Sequence, residues 1–461
     1  MIEELLKEAE KDCKEIYNEI DETETYFSKL VLEAFHKENI NEAHFNMTTG
    51  YGYNDIGRDA IERVFAHVLK GEKALVRNQF ISGSHALSTT LFALLRPGDT
   101  MLSITGLPYD TLHEVIGIKE NPSSLKSFKI NYEQIDLIDN HFDIPSIIKK
   151  IKEKKIKVIE IQRSRGYSTR KSILIKEIEE VIKEIRKIDS NVIIMIDNCY
   201  CEMVEKTSPL EVGANIIVGS LIKNLGGSLA SNGAYICGDE KLINLCAERL
   251  NLPGEGIDVG PSLGANKSIL QGLYFAPSVV ASSLKTSVLT SYLLEKLGFE
   301  VSPRYNENRA DIVEAITFKD RDLLIKYVQE IQKYSPIDSK VLPIPSPMPG
   351  YEGNKKRFNH SNAIRLDQSI YGINMYPKRI LKRNIPVYQQ AFTLCSKVST
   401  IKKISHHKKI KFIAIIPFGY DHGMSNHIKY IYIENALYPV CLLYTSPTPR
   451  DLSTSRMPSS A

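Results

Sequence analysis

Two polar residues at the ends of apolar runs carry the strongest chemical signal in the sequence. VIIMIDNCYCEM (192–203) ends its β-type run at Asp197, and NIIVGSLIKNLGG (215–227) is followed by Lys223, 26 positions after that aspartate. In open α/β sheets, ligands gather at the carboxyl ends of strands, where such residues would lie. A lysine amine that can form an imine, paired with a carboxylate that can keep a pyridine nitrogen protonated, is the pair that pyridoxal-phosphate (PLP) chemistry requires. Burial favours the neutral, nucleophilic form of a lysine. A solitary loop lysine is usually solvated, and a solitary aspartate at a strand end is often a turn residue. Neither bland reading explains Asp197 and Lys223 together with Ser220 and the glycine pair Gly226–Gly227.

Phosphate-binding elements lie upstream and beside this pair. In FISGSHALSTTLFALL, a strand runs through Ser82, Gly83 and Ser84 into a helix, so backbone N–H groups and the helix dipole face an anion. The same pattern also serves as a simple N-cap. Ser220, three residues before Lys223, can offer a hydroxyl to the same phosphate. Tyr109, in GLPYDTLHEV, is the candidate for stacking on a cofactor ring, with His85 a second one; the alternatives are a structural tyrosine and a helix-capping histidine. QRSRGY (162–167) brings Arg163 and Arg165 toward the same sheet edge, for a phosphate, a substrate carboxylate or a surface ion pair. Cys199-x-Cys201 lacks a second Cys/His pair, so it reads as small core residues and no metal is expected. His406 and His407 do not make a metal site by themselves.

These residues need a scaffold, and the chain supplies its pattern. From residue 74, β-type runs (ALVRNQF, TMLSI, SFKI, KVIEIQ, VIIMID, NIIVGS, GAYIC) alternate with helical ones (84–95, 110–117, 144–154, 173–187). That alternation predicts an α/β domain with a mostly parallel, doubly covered sheet. Ile2, Leu5, Leu6, Ala9, Cys13, Ile16 and Ile20 recur at helical spacing, so an N-terminal helix or helix pair precedes it. An apolar helix near 277–297 leads out of the domain; FEVSP, DIVEAITF and a helix over 320–334 begin a smaller α+β unit that is left incomplete. The expected organisation is a helical arm over 1–55, a large domain over 56–290, the start of a small domain over 291–354, and an atypical tail over 355–461.

Composition bounds the alternatives. The 461 residues, 43% hydrophobic and 25% charged, are ordinary for a globular chain. No run is long and apolar enough for a membrane span, and the acidic amphipathic N-terminus is unlike a secretion signal. Seven cysteines at irregular spacing give no disulfide framework, so a reducing cytoplasm is the expected location. The net charge of +4 hides an asymmetry: residues 355–461 hold 17 Lys+Arg against 4 Asp+Glu, and the rest 42 against 51. The basic tail lacks the aromatic interleaving of a nucleic-acid module, and its Ser/Pro-rich end reads as disordered and non-native. No dinucleotide G-x-G-x-x-G or P-loop motif is present.

Taken together, TTGYGYNDIGRD, ISGSHAL, RPGDTMLSITGLPYDTL, QRSRGYSTRKS, IDNCYCEM and GSLIKNLGGSLASNGAYI resemble the aluminium-resistance, or methionine gamma-lyase-like, family, over about residues 1–353. The family lies in the cystathionine-lyase branch of fold-type-I PLP-dependent enzymes. The resemblance implies a fold-type-I large domain, a smaller C-terminal domain and PLP held by Lys223 as a Schiff base. It also implies a homodimer or homotetramer with shared active sites, and carbon–sulfur lyase chemistry on a sulfur-containing amino acid. It places Asp197 at the pyridine nitrogen, Ser82, Gly83, Ser84 and Ser220 at the phosphate, and Tyr109 over the ring. Tyr53 and Arg58 stand where the wider branch has a Tyr-x-Arg element reaching a neighbouring subunit's phosphate, and Ile222 stands where it has threonine. Another PLP reaction such as transamination, or cofactor binding without turnover, remains open on the same residues.

Overall fold

The structure is a computed structural model. It describes residues 2–166, 168–318, 320–334, 340, 342 and 344–345, and the backbone of 361–365, 411–417, 430–433, 436–438 and 440–441. Most of the basic tail therefore lies outside the described residues.

Helices α1 (Ile2–Asp12) and α2 (Lys14–Lys37) form the N-terminal pair. The large domain follows as α3 (Ile56–Leu69), β1 (Lys73–Arg77), α4 (Gly83–Leu94), β2 (Thr100–Ser103), α5 (Leu112–Ile116), β3 (Asn131–Gln134) and α6 (Ile144–Glu153). It continues as β4 (Val158–Gln162), α7 (Ile175–Arg186), β5 (Ile193–Asp197), β6 (Ile216–Ser220), β7 (Ala234–Gly238) and α8 (Glu240–Leu250). Seven strands make one sheet in the order β1-β7-β6-β5-β4-β2-β3. β6, β5, β4, β2 and β3 pair in parallel, and β7 runs antiparallel to both its neighbours.

Strand side chains alternate between the faces, and this alternation sorts the core. Ile159, Ile161, Ile194, Ile196 and Ile217 pack toward the side holding α2, α3, α7 and α9. Val158, Met195, Ile216, Val218 and Ile236 pack toward α4 and α8. Helix α7 shows why the sequence folds this way: Ile175, Ile178, Val181, Ile182 and Ile185 recur along one face and are all buried. Each such side chain stabilises the fold by about 1.5–3 kcal/mol on full burial.

Two expectations are corrected in detail. The strand expected at SFKI lies a few residues later at Asn131–Gln134, because Lys126–Phe128 forms a short 3-10 turn closed by Lys129 in the left-handed region. The exit helix, α9, runs Ala265–Lys296 and carries Pro277 within it, so it begins well before the expected start near 277 and passes through position 290. Beyond it, β8 (Glu300–Ser302) pairs antiparallel with β9 (Val313–Phe318), and α10 (Arg321–Tyr334) follows. β9 also pairs antiparallel with Lys411–Pro417.

Candidate active site

The carboxyl ends of β4, β5 and β6 form one rim, with Gln162 opposite Asp197 and Asp197 opposite Val218 in register. Asp197 follows Met195 on the α4 side of the sheet, by the same two-residue period. Its Oδ1 accepts the Cys199 backbone N–H at 3.1 Å. Burial pushes its carboxyl above the ordinary range, and the Lys223 charge is the foremost influence holding it down. Lys223 itself is half-buried, and its Nζ lies 4.0 Å from the centre of the Tyr200 ring.

Helix α4 completes the rim. Ser82 caps it, its hydroxyl accepting the His85 N–H at 3.1 Å. Gly83 comes so close to β6 that an added Cβ would lie 3.1 Å from Ser220 Cβ and 3.4 Å from Cys199 Sγ. The anion-attracting start of α4 and the buried Ser220 are thus brought together. Ser84 shares a 2.6 Å hydrogen bond with Thr111, at the start of α5. The Gly226–Gly227 pair serves packing: Gly227 sits at φ +51°, and a Cβ there would meet Gly272 O of α9 at 1.9 Å.

His85 accepts the Ile81 N–H at 3.3 Å through Nδ1 and meets Phe80 edge-on at 5.6 Å. Burial lowers its pKa, which fits a neutral capping ring. Tyr109 stands beside the loop after β4, where a Cβ on Gly166 would lie 3.3 Å from its ring.

Three arginines read as anion contacts also make hydrogen bonds within the chain. Arg163 is buried, donating to Ile173 O at 3.3 Å and Asn198 Oδ1 at 3.0 Å, and pairing with Glu205. Arg165 is buried against the small domain, donating to Ser302 O at 2.8 Å and Ser302 Oγ at 3.2 Å. Arg58 donates to the carbonyls of Gly52 (2.7 Å) and Gly260 (3.2 Å) and pairs with Asp59 at 2.8 Å. A buried guanidinium must fill its donors; nearby carbonyls and carboxylates do so for Arg163 and Arg58, whereas Arg165 Nε is buried with no hydrogen-bond partner. Arg163 is held by partners within its own chain, Arg165 lines a cavity with Lys171, Glu177 and Glu307, and Arg58 clamps two loops of its own chain. Tyr53 is exposed and pairs with Tyr51 at 5.8 Å.

Sequence reasoning missed several polar groups around this rim. Glu160, buried on β4, accepts the Ser103 hydroxyl at 2.7 Å, and burial pushes its carboxyl up to about 7. Glu202 is likewise pushed up to about 7 by burial, and Tyr235 donates to it at 3.0 Å. Tyr235 needs Gly219, since a Cβ there would lie 2.4 Å from its hydroxyl. The signal available was a carboxylate inside otherwise apolar stretches, VIEIQ and CYCEM.

Residues 2–355 match the methionine gamma-lyase family, and the chain belongs to that family. Its large domain has the fold-type-I architecture of PLP-dependent enzymes. The uncharacterized Bacillus subtilis protein YnbB is 46% identical over 356 residues, covering 76% of this chain and 84% of that one. A Listeria monocytogenes structure, described as a candidate cystathionine beta-lyase involved in aluminium resistance, is 45% identical with a TM-score of 0.74. It covers 76% of this chain and 87% of its own. A carbon-sulfur lyase involved in aluminium resistance from Clostridium novyi is 43% identical with a TM-score of 0.73, covering 75% and 83% respectively.

Proposed function

We propose that the chain is a PLP-dependent carbon–sulfur lyase that eliminates a β or γ sulfur substituent from an amino acid. The observation that carries this reading is the meeting of Lys223, buried Asp197 and Ser220 at the start of α4. The residues present fit the cofactor: Asp197 is a buried carboxyl whose foremost opposing charge is a lysine, and only a glycine separates the α4 turn from Ser220. Lys223 would hold the cofactor through its amine, Asp197 its ring nitrogen, and Ser82, Gly83, Ser84 and Ser220 its phosphate. Tyr109 is the stacking residue in this reading. When bound, the cofactor supplies an electron sink conjugated to the substrate Cα.

Lys223, with its amine free and neutral, would take the Cα proton at Nζ. Asp197, when ionised, would keep the ring nitrogen protonated as its close opposite charge. The sulfur would depart as thiol with the proton that Lys223 returns, and addition of water to the remaining unsaturated amine, with loss of ammonia, would leave a 2-oxo acid. The named activity of the Clostridium novyi relative supports this choice over transamination on the same residues.

Exposed apolar residues border the site: Tyr51 is 71% exposed, Ile81 75% and Leu263 61%. The loops carrying Tyr51 and Leu263 are tied together through Gly260 N–H to Tyr51 O at 2.9 Å and Leu263 N–H to Thr48 O at 3.1 Å. An apolar surface of this kind supports a homo-oligomer, with this face buried against a second copy. The five described cysteines form no disulfide, in keeping with a cytoplasmic enzyme.

The test is reduction with borohydride in the presence of PLP, peptide mapping for attachment at Lys223, and product analysis with cystathionine, cysteine and methionine. Release of thiol, ammonia and 2-oxo acid supports elimination. A 2-oxo acid formed with conversion of the cofactor to its amine form, and no free ammonia, would establish transamination; attachment with no product at all would leave a binding protein.

A further inference from the structure

Ser103 and Glu160 stand opposite each other in register on the parallel strands β2 and β4, and both are fully buried. Ser103 Oγ lies 2.8 Å from Gly106 O and 2.7 Å from Glu160 Oε2. A hydroxyl has one proton to give, and a carbonyl oxygen can only accept it. Both contacts are filled only when Glu160 carries a proton and donates it to Ser103, which then donates its own to Gly106. An ionised Glu160 draws the Ser103 proton to itself, and at Gly106 two oxygen lone pairs then face each other. The other carboxyl oxygen, Oε1, is buried with no hydrogen-bond partner, which a neutral acid tolerates far better than a carboxylate.

Gly106 is the pivot of the loop that leads to Tyr109. It adopts φ +83°, and its N–H donates to Ile135 O at 3.0 Å. Before it the chain is fastened to β4, with Ile104 N–H donating to Glu160 O at 3.1 Å and Gln162 N–H donating to Thr105 Oγ1 at 3.0 Å. The Ser103 hydroxyl extends this fastening to the carbonyl on the far side of the pivot. We propose that Glu160 is a positioning residue for Tyr109: protonated, it locks the turn at Gly106 through Ser103, and ionised, it turns the Ser103 hydroxyl away and frees the turn. The inference rests on the reading of Tyr109 as the ring-stacking residue. Burial, and after it the Asp197 charge, push the Glu160 carboxyl up to about 7 against the Ser103 hydrogen bond and the Arg170 charge. The neighbouring elements add His85 on α4, His113 on α5 and Asp136 after β3 as groups that titrate. The locked turn is the form present below neutral pH.

The experiment follows amide hydrogen exchange over residues 104–112 in the cofactor-free protein by mass spectrometry, across roughly pH 5.5 to 8.5, with the intrinsic pH dependence of exchange divided out. The wild-type chain is expected to lose protection about fivefold as pH rises through neutrality, the size of one ordinary hydrogen bond. Glu160→Gln, whose amide can donate to Ser103 at every pH, is expected to stay protected throughout. Ser103→Ala is expected to show the low protection throughout. His85, His113, Asp136, Asp197 and Arg170 are unchanged in both variants, so a pH step that persists in Glu160→Gln belongs to one of them and overturns the proposal. A wild-type chain without a step overturns it as well. If Glu160→Gln does not fold, Ser103→Ala decides, and a step that survives there has the same meaning. Unchanged PLP affinity in Tyr109→Ala would remove the stacking role alone, because the exchange step is read without cofactor.

Discussion

Lys223 rests its Nζ 4.0 Å from the centre of the Tyr200 ring, a cation–π contact that joins two loops at adjacent strand ends. Tyr200 adopts φ +70°, a left-handed conformation rare for a side chain of its size. Its carbonyl accepts the Ile312 N–H at 3.2 Å. The turn after β5 is thereby fixed at Tyr200, by the site lysine on its ring and by the segment leading into β9 on its carbonyl. Such strained backbone gathers at functional positions.

Lys223→Ala is expected to abolish borohydride attachment of PLP, because no other described residue is proposed to hold it. Mass mapping checks this. Attachment at a different lysine in the variant would remove Lys223 from its role.

Asp197→Asn is expected to keep some cofactor and to lower kcat by roughly 100-fold or more, the scale of removing one preorganised electrostatic partner. The amide keeps the shape and loses the charge. Steady-state kinetics with saturating PLP separates the effect from affinity, and near-normal kcat would exclude the assignment.

Gly83→Ala tests the close approach of α4 to β6. The new methyl meets Ser220 Cβ at 3.1 Å, so the neighbours must yield slightly. The variant is expected to fold and to bind PLP roughly tenfold more weakly, the equivalent of about 1.4 kcal/mol. Fluorescence titration with PLP reads it, and unchanged affinity would place the phosphate elsewhere.

Glu160 and Glu202 each have a folded-state carboxyl pushed from 4.5 up to about 7 by burial. Between those values the folded state binds more protons than the unfolded one, so stability must fall as pH rises from about 4.5 to about 7. Below 4.5 both states are protonated and the dependence vanishes. The variant carrying Glu160→Gln and Glu202→Gln is expected to flatten the melting temperature across that window. An unchanged slope would show that neither group titrates there.

The family match ends at residue 355, and the resemblance implies that the smaller C-terminal domain supplies a substrate-carboxylate contact, usually an arginine. The full chain is therefore expected to fix PLP but to show a KM for amino-acid substrates roughly 30-fold above that of the Clostridium novyi relative. That is the cost of one charge-assisted contact, about 2 kcal/mol. Parallel kinetics on the two proteins checks it, and equal KM values would show that the contact is supplied by other residues.

Alternation of strand and helix, and the placement of Asp197, Ser220 and Lys223 at strand ends, were legible in the sequence because both depend on local periodicity. A buried strand of five residues announces itself through Ile and Val, and the polar residue that stops it lies where ligands bind in parallel sheets. The arginines were not legible in this way. Arg163, Arg165 and Arg58 carry the same charge whether they meet a ligand or a carbonyl, and their partners are 1 to 202 positions away. Glu202 and Tyr235 are 33 positions apart and meet only because β7 runs antiparallel beside β6 with a glycine at 219. Sequence by itself determined which strands form and which residues end them, since short-range sterics and burial settle both. Tertiary structure alone decided which charges are spent on the protein and which are left facing the site, because hydrogen bonds and desolvation depend on neighbours that the chain brings together only when it folds.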